Sequence, residues 1–500
     1  MKNALTSPWF TGDALALADA VFRGEVSAVQ ALQNTLADIE RINPQLNAVS
    51  LLRPDIAERQ AALLDNELAA CADWTSRAAL HRARPFFGVP LLLKDIGVAT
   101  AHRDLPTRMG SRLLGPQGQG WSVDAALTQR YIAAGFVPMG RSTSPEMGIS
   151  ASTEALAYGG ATRNPWDTEY SAGGSSGGAA AATASGMVTL AHASDGAGSI
   201  RIPASACGLM GLKPSRGLMP CGPLAGEGWG GMLVDHVLTR TVRDCAAALD
   251  ISAGDDPGAP YAAPMRPASF YDALSETPRP MRIALCNSFF EGDAVHADVA
   301  AAVHEFALQL QRLGHHVEPA RPDISTRDVV YPVTQIVATG TALTLDSIAM
   351  QRGRAIAADE LEPVVWSALQ VGRGISGLDY LRAINALHLL ARRMARFHER
   401  YDLLLTPTLA EPPARIGRFA MSNPDFFDYR LGPQGLWRYT PFTPLANATG
   451  APSISLPVGR SKEGLPIGAM LSAQIGEDAL LLCLAAQWEA LHGGAAGVAE

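Results

Sequence analysis

The sequence predicts an α/β protein in which helices cover a parallel or mixed sheet, and three observations carry that expectation. Met281-Arg282-Ile283-Ala284-Leu285-Cys286 reads as a strand, residues 294–313 as a helix and His316-Val317-Glu318 as a second strand, a βαβ rhythm that lays strands side by side beneath a crossover helix. Leu91-Leu92-Leu93 and Leu403-Leu404-Leu405 are short, unbroken apolar runs, the pattern of strands buried on both faces. The chain of 500 residues, 47% hydrophobic and 18% charged, has an ordinary globular composition and is long enough for a large core.

Taken in order, residues 13–23 form an amphipathic helix. Ser27 and Gln30 then make a capping box that opens a second helix to about Arg41, stopped by Asn43-Pro44. Residues 47–52 read as a strand and 55–79 as one long helix. Residues 86–95 form an apolar strand that ends in Lys94-Asp95, followed by a Gly- and Arg-containing loop to 121, a helix over 122–134 and a strand over 136–139. Beyond a Gly- and Ser-rich region, residues 235–244 introduce a helix that ends near Gly254, and 255–280 form a Pro- and Ala-rich linker. Residues 326–400 are mainly helical, and 401–408 form a buried strand before a proline-rich loop.

Composition excludes several classes. A net charge of −8 and a pI near 5.8 argue against nucleic acid as partner, because phosphate binding needs a basic stripe. The basic cluster at Arg392, Arg393, Arg396 and Arg400 alternates with Leu389, Leu390, Met394 and Phe397, as a solvated helix face does. Without an uncharged apolar run of eighteen residues no membrane span is expected, and Asp13 and Asp19 interrupt the N-terminal apolar stretch, unlike a secretory leader. Six cysteines without a CxxC pair predict reduced thiols in a cytoplasmic protein. The histidines show no HExxH or HxH spacing, and His315-His316 reads as a surface turn, so neither a metal nor any other cofactor is expected.

The chemistry concentrates in residues 171–217, SAGGSSGGAAAATASGMVTLAHASDGAGSIRIPASACGLMGLKPSRG. Two small-residue loops, Gly173 to Gly178 and Ser194 to Ser199, flank a segment that can hold one helix and one short strand. Glycine lets backbone approach a ligand and serine offers a nucleophilic hydroxyl. The first loop is no Walker A motif, since Ala179-Ala180 stand where Lys-Ser/Thr would be needed. Gly173-x-Ser175-x-Gly177 does fit a nucleophile elbow, although Asp167-Thr168-Glu169-Tyr170 is a poor strand to precede one. Upstream, a lysine at the end of a buried strand is partly desolvated, which favours its neutral form near pH 7; the plainer reading is a Lys94-Asp95 ion pair.

With Gly88-Val89-Pro90-Leu91-Leu92-Leu93-Lys94-Asp95 upstream and Gly464-Leu465-Pro466-Ile467-Gly468 downstream, this block resembles the amidase signature family of serine hydrolases. Ala191-His192-Ala193-Ser194-Asp195-Gly196-Ala197-Gly198-Ser199-Ile200-Arg201-Ile202-Pro203 resembles the branch containing hydrolases of cyclic aminohexanoate dimers. The resemblance implies a large mixed, mostly parallel sheet with helices on both faces. Residues 1–80 would be an N-terminal helical layer, and 81–500 one interwoven catalytic domain with a variable helical region at about 326–400. Residues 442–452 would belong to its C-terminal strands.

The resemblance also implies Ser199 as nucleophile, Ser175 as bridging serine after a cis Gly174–Ser175 peptide, and Lys94 as base. The amides of Gly196, Ala197, Gly198 and Ser199 would form the oxyanion hole. Ser176 would support Lys94 by a hydrogen bond, Asp195 would fix the loop with Arg201, and Gly148 and Ser150 would line the substrate site. His236 is the alternative base of a Ser/His/Asp triad. Arg141, Ser142 and Ser144 depart from the family's commonest form. The expected function is hydrolysis of small, fairly apolar amides such as aminohexanoate oligomers, anilides or carbamates, by a homodimer. The alternative is the amidase-type subunit of a glutamine-dependent tRNA amidotransferase, and a catalytically silent scaffold is the third reading.

Overall fold

The computed structural model describes residues 9–101 and 105–492. Eleven strands form one sheet: β1 (Val49–Leu52), β2 (Pro90–Lys94), β3 (Val137–Ser142), β4 (Leu190–Asp195), β5 (Met210–Lys213), β6 (Val234–Thr239), β7 (Arg282–Leu285), β8 (His316–Pro319), β9 (Leu403–Pro407), β10 (Ser453–Arg460) and β11 (Pro466–Ala473). Their spatial order is β1-β3-β2-β4-β6-β5-β10-β11-β9-β7-β8. The sheet is mixed, as expected, but not mostly parallel: six of its ten pairings are antiparallel. Parallel pairs occur in two patches, β3-β2-β4 and β9-β7-β8, and hairpin-like returns such as β10 to β11 fill the middle.

Each face has its own core, because successive strand residues point to opposite sides. Leu91 and Leu93 of β2 belong to the core that takes in the buried faces of the helices Val242–Ser252, Ala297–Arg312 and Thr326–Arg352, whereas Leu92 belongs to the core shared with the helices Ala28–Leu46, Pro54–Ala69 and Gly177–Ala184. Helices therefore lie on both faces. Residues 177–184 are wholly buried, and their small side chains let the helix lie directly on the sheet. A Cβ on Gly178 would overlap Thr143 Oγ1.

Several elements differ from expectation. The second helix runs through Pro44 to Leu46; the proline removes one backbone donor a turn from the end, at a place where Glu40 is exposed and its carbonyl can meet water. The long helix divides into Pro54–Ala69 and Trp74–Ala83, since Asp73 accepts from the Ser76 amide and starts a new helix with a capping box. Residues 443–449 are helical rather than extended, with Pro444 in the first turn, where its missing N–H costs nothing. Strand β6 precedes the helix foreseen after residue 235. His315 is buried, accepting from the Met281 amide through Nδ1, and is not part of a surface turn. Strand β1, within the N-terminal layer, pairs with β3. Among the described residues no helix is long and apolar enough to cross a membrane.

Candidate active site

Strands β3, β2 and β4 run parallel and deliver Ser142, Lys94 and Asp195 to one edge of the sheet, where open α/β sheets place their ligands. Lys94 shares the face of Leu92, the face covered by the Gly177–Ala184 helix, and the loop that enters this helix carries Ser175 after a cis Gly174–Ser175 peptide. The lysine is 1% exposed. Its Nζ lies 2.8 Å from Ser175 Oγ, 2.9 Å from Ser194 Oγ and 3.3 Å from the Ser194 carbonyl oxygen. All three oxygens can accept from Nζ, and when the amine is neutral Ser175 Oγ can donate to its lone pair instead. Burial lowers the pKa of Lys94 to about 7, against the opposing attraction of Asp235 and Asp195.

Asp95 does not pair with this lysine. Its carboxylate accepts from Thr107 Oγ1, the Arg108 amide and Tyr158 Oη, and burial raises its pKa. Arg141, also fully buried, donates to the Lys94 carbonyl at 3.0 Å and to the Leu105 carbonyl at 2.9 Å, so this departure from the family pattern fixes the strand end.

The loop after β4 is stapled by one carboxylate. Asp195 Oδ1 accepts from the Gly198 amide at 2.6 Å, Arg201 Nη2 at 3.0 Å and Asn447 Nδ2 at 2.9 Å; Oδ2 accepts from the Ile200 amide at 3.1 Å and Arg201 Nε at 3.0 Å. These donors hold its pKa well below the usual carboxylate range despite complete burial. Gly198 has a φ of +128°, and a Cβ there would overlap Thr443 Oγ1, so only glycine fits. Thr443 Oγ1 in turn donates to the Ala197 carbonyl at 2.9 Å.

Lys94, Ser175, Ser194, Gly196 and Ser199 line one cavity of about 400 Å³. Ile96, Met109, Trp121, Met147, Trp229 and Leu233 give it apolar walls, and Asp235 and Glu227 add two carboxylates. Gly148 sits beside the bridging serine, since a Cβ added to it would lie 3.4 Å from Ser175 Oγ. Ser150 lines a smaller adjoining recess that shares Gly148, Ser199 and Trp229 with the main cavity, and its Oγ lies 2.6 Å from Tyr429 Oη. Among the described residues no group of three or more His, Cys, Asp or Glu could hold a metal ion.

The Amidase family profile matches residues 30–482 of this chain. The chain belongs to the amidase signature family. It is 35% identical over 486 residues to the 6-aminohexanoate-cyclic-dimer hydrolase of Paenarthrobacter ureafaciens, covering 95% of this chain and 94% of that one. A solved structure of 6-aminohexanoate cyclic dimer hydrolase superposes with a TM-score of 0.85 at 34% identity, covering 96% of both chains. A bacterial aryl acylamidase described as an amidase signature enzyme gives 0.86 at 26% identity, with 97% of both covered. The chain is thus a hydrolase of amide carbon–nitrogen bonds.

Some details of this amidase depart from the sequence expectation. Ser176 does not reach Lys94: its Oγ donates to the Ser194 carbonyl at 3.2 Å and accepts from the Ser194 amide at 3.4 Å, so it holds the serine that the lysine uses. Of the four amides expected at an oxyanion hole, that of Gly198 is instead taken up by Asp195. His236 lies against Cys245 Sγ at 3.5 Å and is pushed down to about 3 by burial, away from the cavity lining. The sequence reading missed Ser194, Asn447 and the His192–Asp235 pair. His192 Nδ1 accepts from the Lys94 amide at 3.1 Å, so its proton sits on Nε2, 3.2 Å from Asp235 Oδ1. Ser194 lay in view, since it stands beside Asp195 where β4 ends next to β2; Asn447 gave no local signal.

Proposed function

We propose that the amidase hydrolyses small, fairly apolar amides through Lys94, Ser175 and Ser199 by way of an acyl-enzyme. The observation that carries this reading is the 2.8 Å separation of buried Lys94 Nζ and Ser175 Oγ beside a cavity that Ser199 also lines. Neutral Lys94 takes a proton from Ser175, which takes one from Ser199 as its oxygen attacks the carbonyl carbon. The tetrahedral oxyanion is met by the amides of Gly196, Ala197 and Ser199, each such donor being worth about 3 kcal/mol in catalysis. The proton returns along the same path to the departing nitrogen, the carbon–nitrogen bond breaks, and water repeats the cycle to release the acid.

Substrate size and polarity are supported by a cavity of about 400 Å³ with mainly apolar walls, and the related hydrolase acts on a cyclic aminohexanoate dimer. The test is covalent labelling with a fluorophosphonate, together with turnover of aliphatic amides, anilides, cyclic diamides and carbamates. Label is expected on Ser199 and absent in Ser199→Ala. Label that persists in Ser199→Ala and vanishes in Ser175→Ala would transfer the nucleophile to the first glycine loop.

A further inference from the structure

Arg430 is a buried cation without a counter-ion. It is 3% exposed, on the short helix Phe426–Leu431, and among the described residues no carboxylate lies within ion-pair distance of it. Nη2 donates to the Ile149 carbonyl at 2.8 Å, and Nε has no partner. The rings of Phe426 and Trp437 lie 4.9 Å and 5.2 Å from its guanidinium carbon. Rings stabilise the charge through its faces, but they offer no acceptor to the five N–H groups that lie in the guanidinium plane. The other large buried arginines are better provided for: Arg201 holds Asp195, and Arg141, although its Nε also lacks a partner, holds two carbonyls with Asp95 nearby to offset its charge. Burying a charged donor without an acceptor is costly, so a partner is expected when the site is in use.

The place of this arginine says where such a partner would come from. Arg430 lines the small recess that Ser199, Gly148 and Trp229 share with the main cavity, and Ile149, whose carbonyl it holds, lines it too. The recess is only about 20 Å³, room for one small group. The main cavity carries Asp235 and Glu227, so an oxygen acceptor is repelled there and drawn to Arg430.

Building on the amidase reading, we propose that Arg430 is a specificity-determining residue that binds an oxygen acceptor of the substrate, a carboxylate or a second amide carbonyl, a short distance from the bond cleaved at Ser199. Preferred substrates then carry two carbonyl-type groups joined by a short spacer, and a simple alkyl amide leaves the recess unfilled.

The experiment compares kcat/KM for three series of primary amides with two to five methylenes: those ending in a carboxylate, those ending in a second amide and those ending in methyl. At one spacer length or more, the wild type should favour an oxygen-terminated amide over its alkyl match by at least about tenfold, roughly the lower end of what one charge-assisted hydrogen bond supplies. Arg430→Met should bring that ratio to about one, and Arg430→Lys should keep part of it for the carboxylate. Which series gains more tells carboxylate from carbonyl. A wild-type ratio near one at every spacer, or a ratio that survives in Arg430→Met, overturns the inference and leaves the amidase reading intact. If Arg430→Met does not fold, the wild-type ratio and Arg430→Lys decide. A wild type that hydrolyses none of the amides and takes no label at Ser199 loses both.

Discussion

In the proposed mechanism Lys94 is the base, and its burial makes its protonation state measurable. Because burial brings its pKa to about 7 and the proposed base is the neutral amine, kcat/KM should fall about tenfold per pH unit as pH drops below 7. Asp235 opposes that lowering, and it is within reach of the same cavity. Asp235→Asn should therefore move the acid limb to lower pH, which a pH profile on any accepted amide will read. A profile flat from pH 5 to 8 in the wild type would remove Lys94 as the base. Lys94→Ala should lose about 10² to 10⁴ in turnover, the usual worth of a positioned general base.

At the scale of an element, the loop between β4 and the Arg201–Cys207 helix owes its shape to Asp195. Arg201 and Asn447 also bind it, so the loop is tied to a helix some 250 residues away in sequence. Asp195→Asn leaves Arg201 as a buried unpaired cation and should cost about 3–5 kcal/mol in urea unfolding. Asn447→Ala should cost about 1–3 kcal/mol, the penalty for unsatisfied buried partners, and lower kcat more than it raises KM. The pH dependence has a definite sign: the folded pKa of Asp195 is depressed, so its contribution is full above the unfolded value near 3.8 and drains as pH falls below it. A variant as stable as wild type at both pH 3 and pH 7 would remove this role.

Across the whole molecule, the cavity takes part of its wall from a helix in the region expected to vary, about 326–400. Thr326–Arg352 contributes Gly340, Thr341 and Thr344 to the lining of the cavity that the serines also line. Trp229 lies against that helix and against the loop after β4 at once: a Cβ on Gly340 would overlap its Cδ1, and one on Gly196 would come within 2.6 Å of its ring. Gly340→Ala must therefore shift Trp229, which lines the cavity, and KM for bulky amides should rise several-fold more than for small ones. Equal changes across a size series would show that this helix does not set substrate reach.

The sequence by itself determined the family, the apolar strand that ends at Lys94, and the two glycine- and serine-rich loops, because each is written in contiguous residues whose backbone needs are local. It also announced the Asp195–Arg201 pair, six residues apart in one loop. Only the tertiary structure decided which strands meet, so the sheet turned out more antiparallel than expected. In the same way, Ser194 rather than Ser176 faces the lysine, and the Gly198 amide is spent on Asp195. Asn447, Trp229 and Arg430 were illegible for one reason: their roles depend on neighbours in other elements, from tens to hundreds of residues away, and contact across a folded core leaves no periodicity in the chain that makes it.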